Sequence, residues 1–236
     1  MSGKDFDLEQ LAAYLHFTPD QIQKLIKRGE LPGRKVQGQW RFSESEIHHW
    51  LENRIGMSSP EELEEVERWF ERSATDEESP VVLAELLSVD AIAIPLESRT
   101  SNAVIRDMCH LAAHTGKLWD DAAMAQAVQA REQLLSTALE NGVALLHPRR
   151  PQPNLLAESF LALGIAPRPL PFGNRSGRLT DLFFLIGAEN DRIHLRIQAR
   201  LGRLISDPDL LERLRHAESP WDAHQIIQQT ESGWND

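Results

Sequence analysis

NGVALLHPRR, residues 141–150, decides how the larger part of this chain is read. Four apolar residues, Val143 to Leu146, run straight into His147, Pro148 and two arginines. A short unbroken apolar run reads as a strand covered on both faces. Ending such a strand on an imidazole places a titratable nitrogen at the edge of a sheet, within reach of another molecule. It is also an ordinary way to end a strand, so the flanking sequence has to choose.

On either side the chain alternates between strand and helix patterns. AIAIPLES (91–98), residues 142–147, Ser159–Ile165 and Asp181–Gly187 read as strands. Ser101–Thr115, Asp120–Thr137, Asp191–Ile205, Pro208–Ala217 and Pro220–Thr230 read as helices. Mixed strands and helices of this kind make a C-terminal α/β domain over 81–236, a mixed sheet with helices packed on it.

The first 55 residues follow other rules. Asp7 with Gln10, Thr18 with Gln21, and Ser43 with Glu46 each pair a capping side chain with a polar residue three positions on. They start helices over Leu8–Leu15, Pro19–Arg28 and Glu44–Arg54, the second closed by Gly29. Between the last two, LPGRKVQGQWRF (31–42) carries turn signals flanked by Val36 and Trp40, which predicts a short hairpin. Helix, helix, hairpin, helix is a winged helix-turn-helix, an N-terminal all-α domain over 1–55. Residues 56–80 join the two parts. They hold nine Asp/Glu against two Lys/Arg, and Leu63, Val66, Trp69 and Phe70 form one stripe of an acidic amphipathic helix.

The formal net charge of −11 argues against a protein that coats nucleic acid generally. The charge is uneven, however. Lys24, Lys27, Arg28, Arg34, Lys35 and Arg41 face Glu30 alone between positions 24 and 41. A single cysteine, Cys109, excludes a disulfide framework within the chain and fits the cytoplasm. No apolar run is long enough for a membrane span, and no Cys/His/Asp spacing suggests a metal. No cofactor is implied.

Two resemblances sharpen this reading. Residues 6–54 resemble the excisionase and MerR-like winged helix-turn-helix family. Ala12 to Leu15, the helix before Gly29, the LPGRK stretch and WRF followed by Trp50-Leu51 carry the likeness. The resemblance implies that the second helix enters the major groove of double-stranded DNA with Gln21, Gln23, Lys24, Lys27 and Arg28. Arg34, Lys35 and Arg41 on the wing would reach phosphates. So small a domain makes few phosphate contacts, so a homodimer or a partner protein is expected to supply the rest.

REQLLSTALENGVALLHPR (131–149) resembles the active-site segment of type 2 EIIA domains of the bacterial phosphotransferase system. That group shows R-E, then S-T, then G-[IV]-A-x-P-H-G. Arg131, Glu132, Ser136, Thr137, Gly142, Val143, Ala144 and His147 match it. DLFFLIGAENDRIHLRIQARLGRLIS then resembles the family's strand and the helix carrying its second histidine, here His194. The resemblance covers about residues 83–232. It implies that His147 accepts a phosphoryl group from a small HPr-like phosphocarrier protein. Arg131 would present a cationic fork to the phosphoryl oxygens, His194 would bond the phosphoryl or orient His147, and Ser136 and Thr137 would donate hydrogen bonds. Two positions depart from the pattern. Leu146 stands where the family has proline and Pro148 where it has glycine, which removes a backbone N–H beside the phosphoryl site.

The expected function is a transcriptional regulator whose EIIA-like domain is controlled by histidine phosphorylation, a phosphoacceptor rather than a turnover enzyme. No sugar-transporting domain follows in this sequence, which favours regulation over onward transfer. Two alternatives stay open: a phosphocarrier with the helix-turn-helix as a protein adaptor, and an EIIA-like scaffold that is not phosphorylated.

Overall fold

The structure is a computed structural model and describes residues 5–15, 17–43, 46, 47, 50, 81–174 and 176–234. The chain divides into two compact units between Pro80 and Val81. The expected acidic helix of 56–80 and most of the third helix lie outside the described residues.

In the first unit β1 (Asp5–Phe6) leads into α1 (Leu8–Leu15) and α2 (Pro19–Arg28). Both helix starts are capped as expected. Gln10 N–H donates to Asp7 Oδ1 at 2.8 Å, and Asp7 N–H donates back to Gln10 Oε1 at 3.0 Å. At α2, Gln21 N–H donates to Thr18 Oγ1 and Thr18 N–H to Gln21 Oε1. Gly29 closes the helix at φ 70°, in the left-handed region. β2 (Arg34–Val36) and β3 (Gln39–Ser43) pair through the two-residue turn Gln37-Gly38, both with positive φ, which matches the twist of the wing. The expected hairpin has a third strand. β1 pairs with β3, Phe6 opposite Phe42, so a three-stranded sheet of order β1-β3-β2 accompanies the helices. Two residues are too few to announce a strand by alternation. Phe6, Leu11, Leu15, Ile22, Phe42 and Ile47 are buried in this unit.

The second unit starts with a single helical turn, α3 (Leu83–Leu86), which leads directly into β4 (Leu87–Ala93). β4 is earlier than the expected 91–98 because Pro95, lacking an N–H, cannot extend the ladder. α4 (Ser101–His114) and α5 (Asp121–Leu134) follow, then β5 (Val143–Leu146), a 3-10 turn at Pro153–Leu155, β6 (Phe160–Pro171) and β7 (Leu179–Gly187). α6 (Asp191–Ile205), α7 (Pro208–Arg215) and α8 (Pro220–Ser232) complete it. The sheet has order β4-β6-β7-β5 and is mixed: β4 pairs parallel to β6, β6 antiparallel to β7, and β5 parallel to β7. β6 outruns its expected end at Ile165, continuing past a register shift through Pro167, Pro169 and Pro171. Prolines mark the end of a strand by pattern, yet they fit at a shifted, exposed extension.

β5 is one of the two edge strands, and all four of its residues are buried. Its entry is clamped. Gly142 sits at φ 85°, in the left-handed region, and a Cβ there would stand 2.8 Å from Arg215 Nη2 and 3.0 Å from Asp181 Oδ1, so both side chains would have to move. Arg215 Nη2 donates to Asn141 O at 2.7 Å, and its Nε donates to Asp181 Oδ2 at 2.9 Å.

Candidate functional site

β5 delivers His147 one residue beyond its last paired position, Leu146 opposite Leu185 of β7. The residue is 3% exposed. Its Nδ1 lies 2.8 Å from the carbonyl of Leu145. A carbonyl can only accept, so Nδ1 carries the proton in the neutral ring and the lone pair sits on Nε2. His194 comes from the first turn of α6, whose start Asn190 caps by accepting from Ile193 N–H. It too is buried, and its ring centroid is 5.0 Å from that of His147, the planes tilted by 54°. The two histidines lie 47 positions apart in sequence and meet because β7, which leads into α6, is the strand beside β5.

The other expected members gather around the end of α5. α5 stops at Leu134, not at Thr137 as expected, and the following loop folds back on the helix. Arg131, 7% exposed, donates from Nη1 to the Leu135 carbonyl at 2.7 Å. Glu132 gathers the loop. It accepts from Thr137 N–H at 3.0 Å, from Thr137 Oγ1 at 2.7 Å and from Ser136 Oγ at 2.6 Å. Ser136 Oγ also lies 2.7 Å from the Phe172 carbonyl. In the unmodified protein these hydroxyls face Glu132, a carboxylate one turn upstream on α5. Glu132 is the second residue of the R-E pair in the motif, and the motif alone assigns it no role. Pro148 is buried and supplies no N–H beside the imidazole, while Arg149 and Arg150 are exposed just beyond it.

The remaining histidines of this unit have partners elsewhere, His216 Nδ1 lying 2.8 Å from the Glu212 carbonyl. His110 Nδ1 is 3.0 Å from Asp121 Oδ2, His114 Nδ1 is 2.8 Å from the His110 carbonyl, and His224 Nε2 is 3.0 Å from the Ala84 carbonyl. The hydrogen bond from His110, before the cost of burial, holds the Asp121 carboxyl below the usual carboxylate range. Among the described residues no group of three or more His, Cys, Asp or Glu could hold a metal ion. No described helix is long and apolar enough to cross a membrane.

In the first unit Ile22 is buried while Gln21, Gln23, Lys24, Lys27 and Arg28 are exposed on α2. Gln21 is only partly available, because its Oε1 completes the cap at 2.8 Å from Thr18 N. On the wing Arg34 and Lys35 are exposed and Arg41 half-buried. Arg34 Nη2 donates to Asp5 Oδ2 at 2.8 Å, Arg41 Nη1 lies 4.0 Å from Asp7 Oδ2, and Lys35 Nζ stands 5.4 Å above the Trp40 ring. Such surface pairs are worth about 0–1 kcal/mol and exchange readily for a phosphate.

Residues 6–55 match a family described as a helix-turn-helix domain. A nitrogen regulatory protein of Bradyrhizobium diazoefficiens is 30% identical over 150 residues, covering 61% of this chain and 94% of that protein. The fructose-specific EIIABC component of the phosphotransferase system of Bacillus subtilis is 28% identical over 149 residues, covering 62% of this chain but 23% of that longer protein. Among solved structures, the nitrogen regulatory protein IIA-Ntr of Neisseria meningitidis superposes with a TM-score of 0.55 at 23% identity, covering 61% of this chain and 97% of that one. The IIA mannitol domain of Escherichia coli gives 0.54 at 21%, covering 59% of this chain and 97% of that one, and both likenesses show the fold. With residues 85–230 matching it, the chain belongs to the family of the phosphoenolpyruvate-dependent sugar phosphotransferase system, EIIA 2.

Proposed function

We propose that this chain is a DNA-binding transcriptional regulator, in a cytoplasmic setting, whose EIIA unit is controlled by phosphorylation of His147. The observation that carries the reading is the ring of His147, held by its Nδ1 on the Leu145 carbonyl and set 5.0 Å from His194. The Nε2 lone pair attacks the phosphorus of a phosphohistidine on an HPr-like carrier. The donor's N–P bond breaks, and its electron pair returns to the donor imidazole, which takes up a proton. Such transfers need positioning and charge neutralisation more than covalent assistance. Arg131 and His194 are the groups assigned to that neutralisation. The excisionase or MerR-like subtype of the first unit, with α2 in the major groove and the wing on the backbone, completes the proposal. A homodimer fits the small footprint of one such unit.

A second reading has its own support. Pro148 gives no N–H at the position after the histidine, and the Ser136 and Thr137 hydroxyls are taken by Glu132. That favours an EIIA scaffold that docks partners without being phosphorylated. One experiment separates the two. The full chain is incubated with a phosphohistidine carrier, and its intact mass is read with and without acid treatment. An acid-labile gain of one phosphoryl group, absent in His147→Ala, supports the regulator. No gain at any carrier concentration leaves the scaffold. The phosphorylated chain is then compared with the unmodified one on duplexes enriched from a random pool. Equal affinities at the same salt would sink the coupling of the two units.

A further inference from the structure

The loop after α5 covers the open edge of β5, and one bond is missing from that pairing. Ala138 bridges Ala144 in the antiparallel sense. Leu139 N–H donates to Val143 O at 2.8 Å and Leu145 N–H to Thr137 O at 3.3 Å. In an antiparallel ladder these bonds flank a non-hydrogen-bonded pair, so Thr137 and Leu145 form the next, hydrogen-bonded pair. Such a pair exchanges two bonds, and the second would run from Thr137 N–H to the Leu145 carbonyl. It is not made. Thr137 N–H points instead at both oxygens of Glu132, at 3.1 and 3.0 Å. The Leu145 carbonyl accepts from His147 Nδ1 at 2.8 Å.

We infer that Glu132 is a positioning residue: by drawing Thr137 N–H out of the ladder it reserves the Leu145 carbonyl for His147 Nδ1, and so fixes the tautomer that leaves Nε2 as nucleophile. The hydrogen bond made by one ring nitrogen sets the protonation of the other. A second donor arriving at the Leu145 oxygen weakens the first, although a carbonyl has two lone pairs. Glu132 is suited to the task because the end of α5 fixes it and the Thr137 hydroxyl bonds the same carboxylate at 2.7 Å. What matters is an acceptor at this place, not a charge. Glutamine keeps a carbonyl oxygen for Thr137, and its amide N–H can donate to Ser136 Oγ, whose single proton then goes to the Phe172 carbonyl 2.7 Å away.

The inference rests on phosphotransfer at His147 for its consequence, but its geometry is read without any transfer. Long-range proton–nitrogen spectra of the 15N-labelled full chain report the tautomer of His147, at a pH where an ordinary histidine is neutral. The wild-type ring is expected as one tautomer with the proton on Nδ1. Glu132→Gln should retain it. Glu132→Ala should give a mixture of tautomers and a phosphoryl-transfer rate lower by about 10- to 100-fold, the scale of a misplaced reacting atom. If Glu132→Ala does not fold, Glu132→Met fills a similar volume without an acceptor and carries the same expectation. Thr137→Val keeps the N–H on Glu132 and should leave the tautomer unchanged. A wild-type ring protonated on Nε2, or a Glu132→Ala ring still wholly protonated on Nδ1, overturns the inference. A wild-type chain with the expected tautomer that no carrier phosphorylates overturns the functional reading alone.

Discussion

The imidazoles of His147 and His194 stand with their centroids 5.0 Å apart, one at the end of β5 and the other on the first turn of α6. Neither ring is near water, at 3% and 2% exposure. On the proposed function, His194 is expected to act on the state of His147 and not as an independent acceptor. His194→Ala is expected to keep the phosphoryl site on His147 while lowering the transfer rate by about 100-fold, the usual scale for a positioned proton donor. His147→Ala should abolish incorporation. Rapid-quench transfer assays with peptide mapping check both, and label on residue 194 would reverse the assignment.

The two rings also mark what a sequence can and cannot tell. That His147 follows a buried strand was legible from the unbroken apolar run before it, and its partnership with His194 only from the family motif. The caps at Asp7–Gln10 and Thr18–Gln21 were legible because each needs only residues three apart. Glu132 was not. Its role depends on where α5 stops and on the path of the loop beyond it, which Ser136 fixes against the Phe172 carbonyl and Ala138 fixes by bridging Ala144. That choice is made by tertiary contacts, which local propensity does not contain. The extension of β6 beyond Ile165 escaped for the converse reason: three prolines argue against a strand wherever the neighbouring strand is unknown.

Cys109 lies on α4 among Val104, Ile105, Met108 and Ala112 and is inaccessible. Burial, aided by the negative charge of Asp121, pushes its thiol up to about 12. The thiolate is the reactive form, so a disulfide reagent near neutral pH should label Cys109 only when the second unit opens. The pH dependence follows. The folded thiol stays protonated while the unfolded one ionises, so stability is full below the unfolded value and falls as pH rises from there towards 12. The limiting slope is about 1.4 kcal/mol per pH unit. Fast stoichiometric labelling of the native chain near neutral pH would refute this.

Glu231 ties three elements together from inside. It accepts from Arg200 Nε at 2.6 Å, and from the N–H groups of Leu83 and Ala84 at 2.9 and 2.8 Å. The side chains of the ion pair are 8% and 4% exposed. Removing one partner of a buried pair costs about 3–5 kcal/mol, because the other charge stays behind. Glu231→Ala should therefore destabilise the second unit by about that amount, and Glu231→Gln, which keeps an acceptor for an N–H of α3, by less. The rate of Cys109 labelling against urea concentration measures this for the second unit separately from the first. A change below about 1 kcal/mol would show that the pair is replaceable by water.

The nucleic-acid reading turns on how α2 and the wing divide their labour. Lys27 and Arg28 are exposed on the last turn of α2, and Arg28 has Glu30 at 3.9 Å, a pair open to solvent on both sides. Arg34 and Lys35 project from β2 on the wing. Each phosphate neutralised releases about 0.9 of a counterion from B-form DNA, so every lost contact shows as a change in the salt slope. Lys27→Ala with Arg28→Ala should weaken specific and random duplexes alike and lower the slope by roughly one to two units. Gln23 carries no charge. Its replacement by alanine should leave the slope alone and relax sequence preference at one position, at a cost of about 1–3 kcal/mol against the preferred base. Fluorescence titrations at several salt concentrations, on a selected duplex and on a scrambled one, read both quantities. A slope that stays the same in the double alanine variant would place the basic face elsewhere than on phosphate and would return the first unit to a protein adaptor.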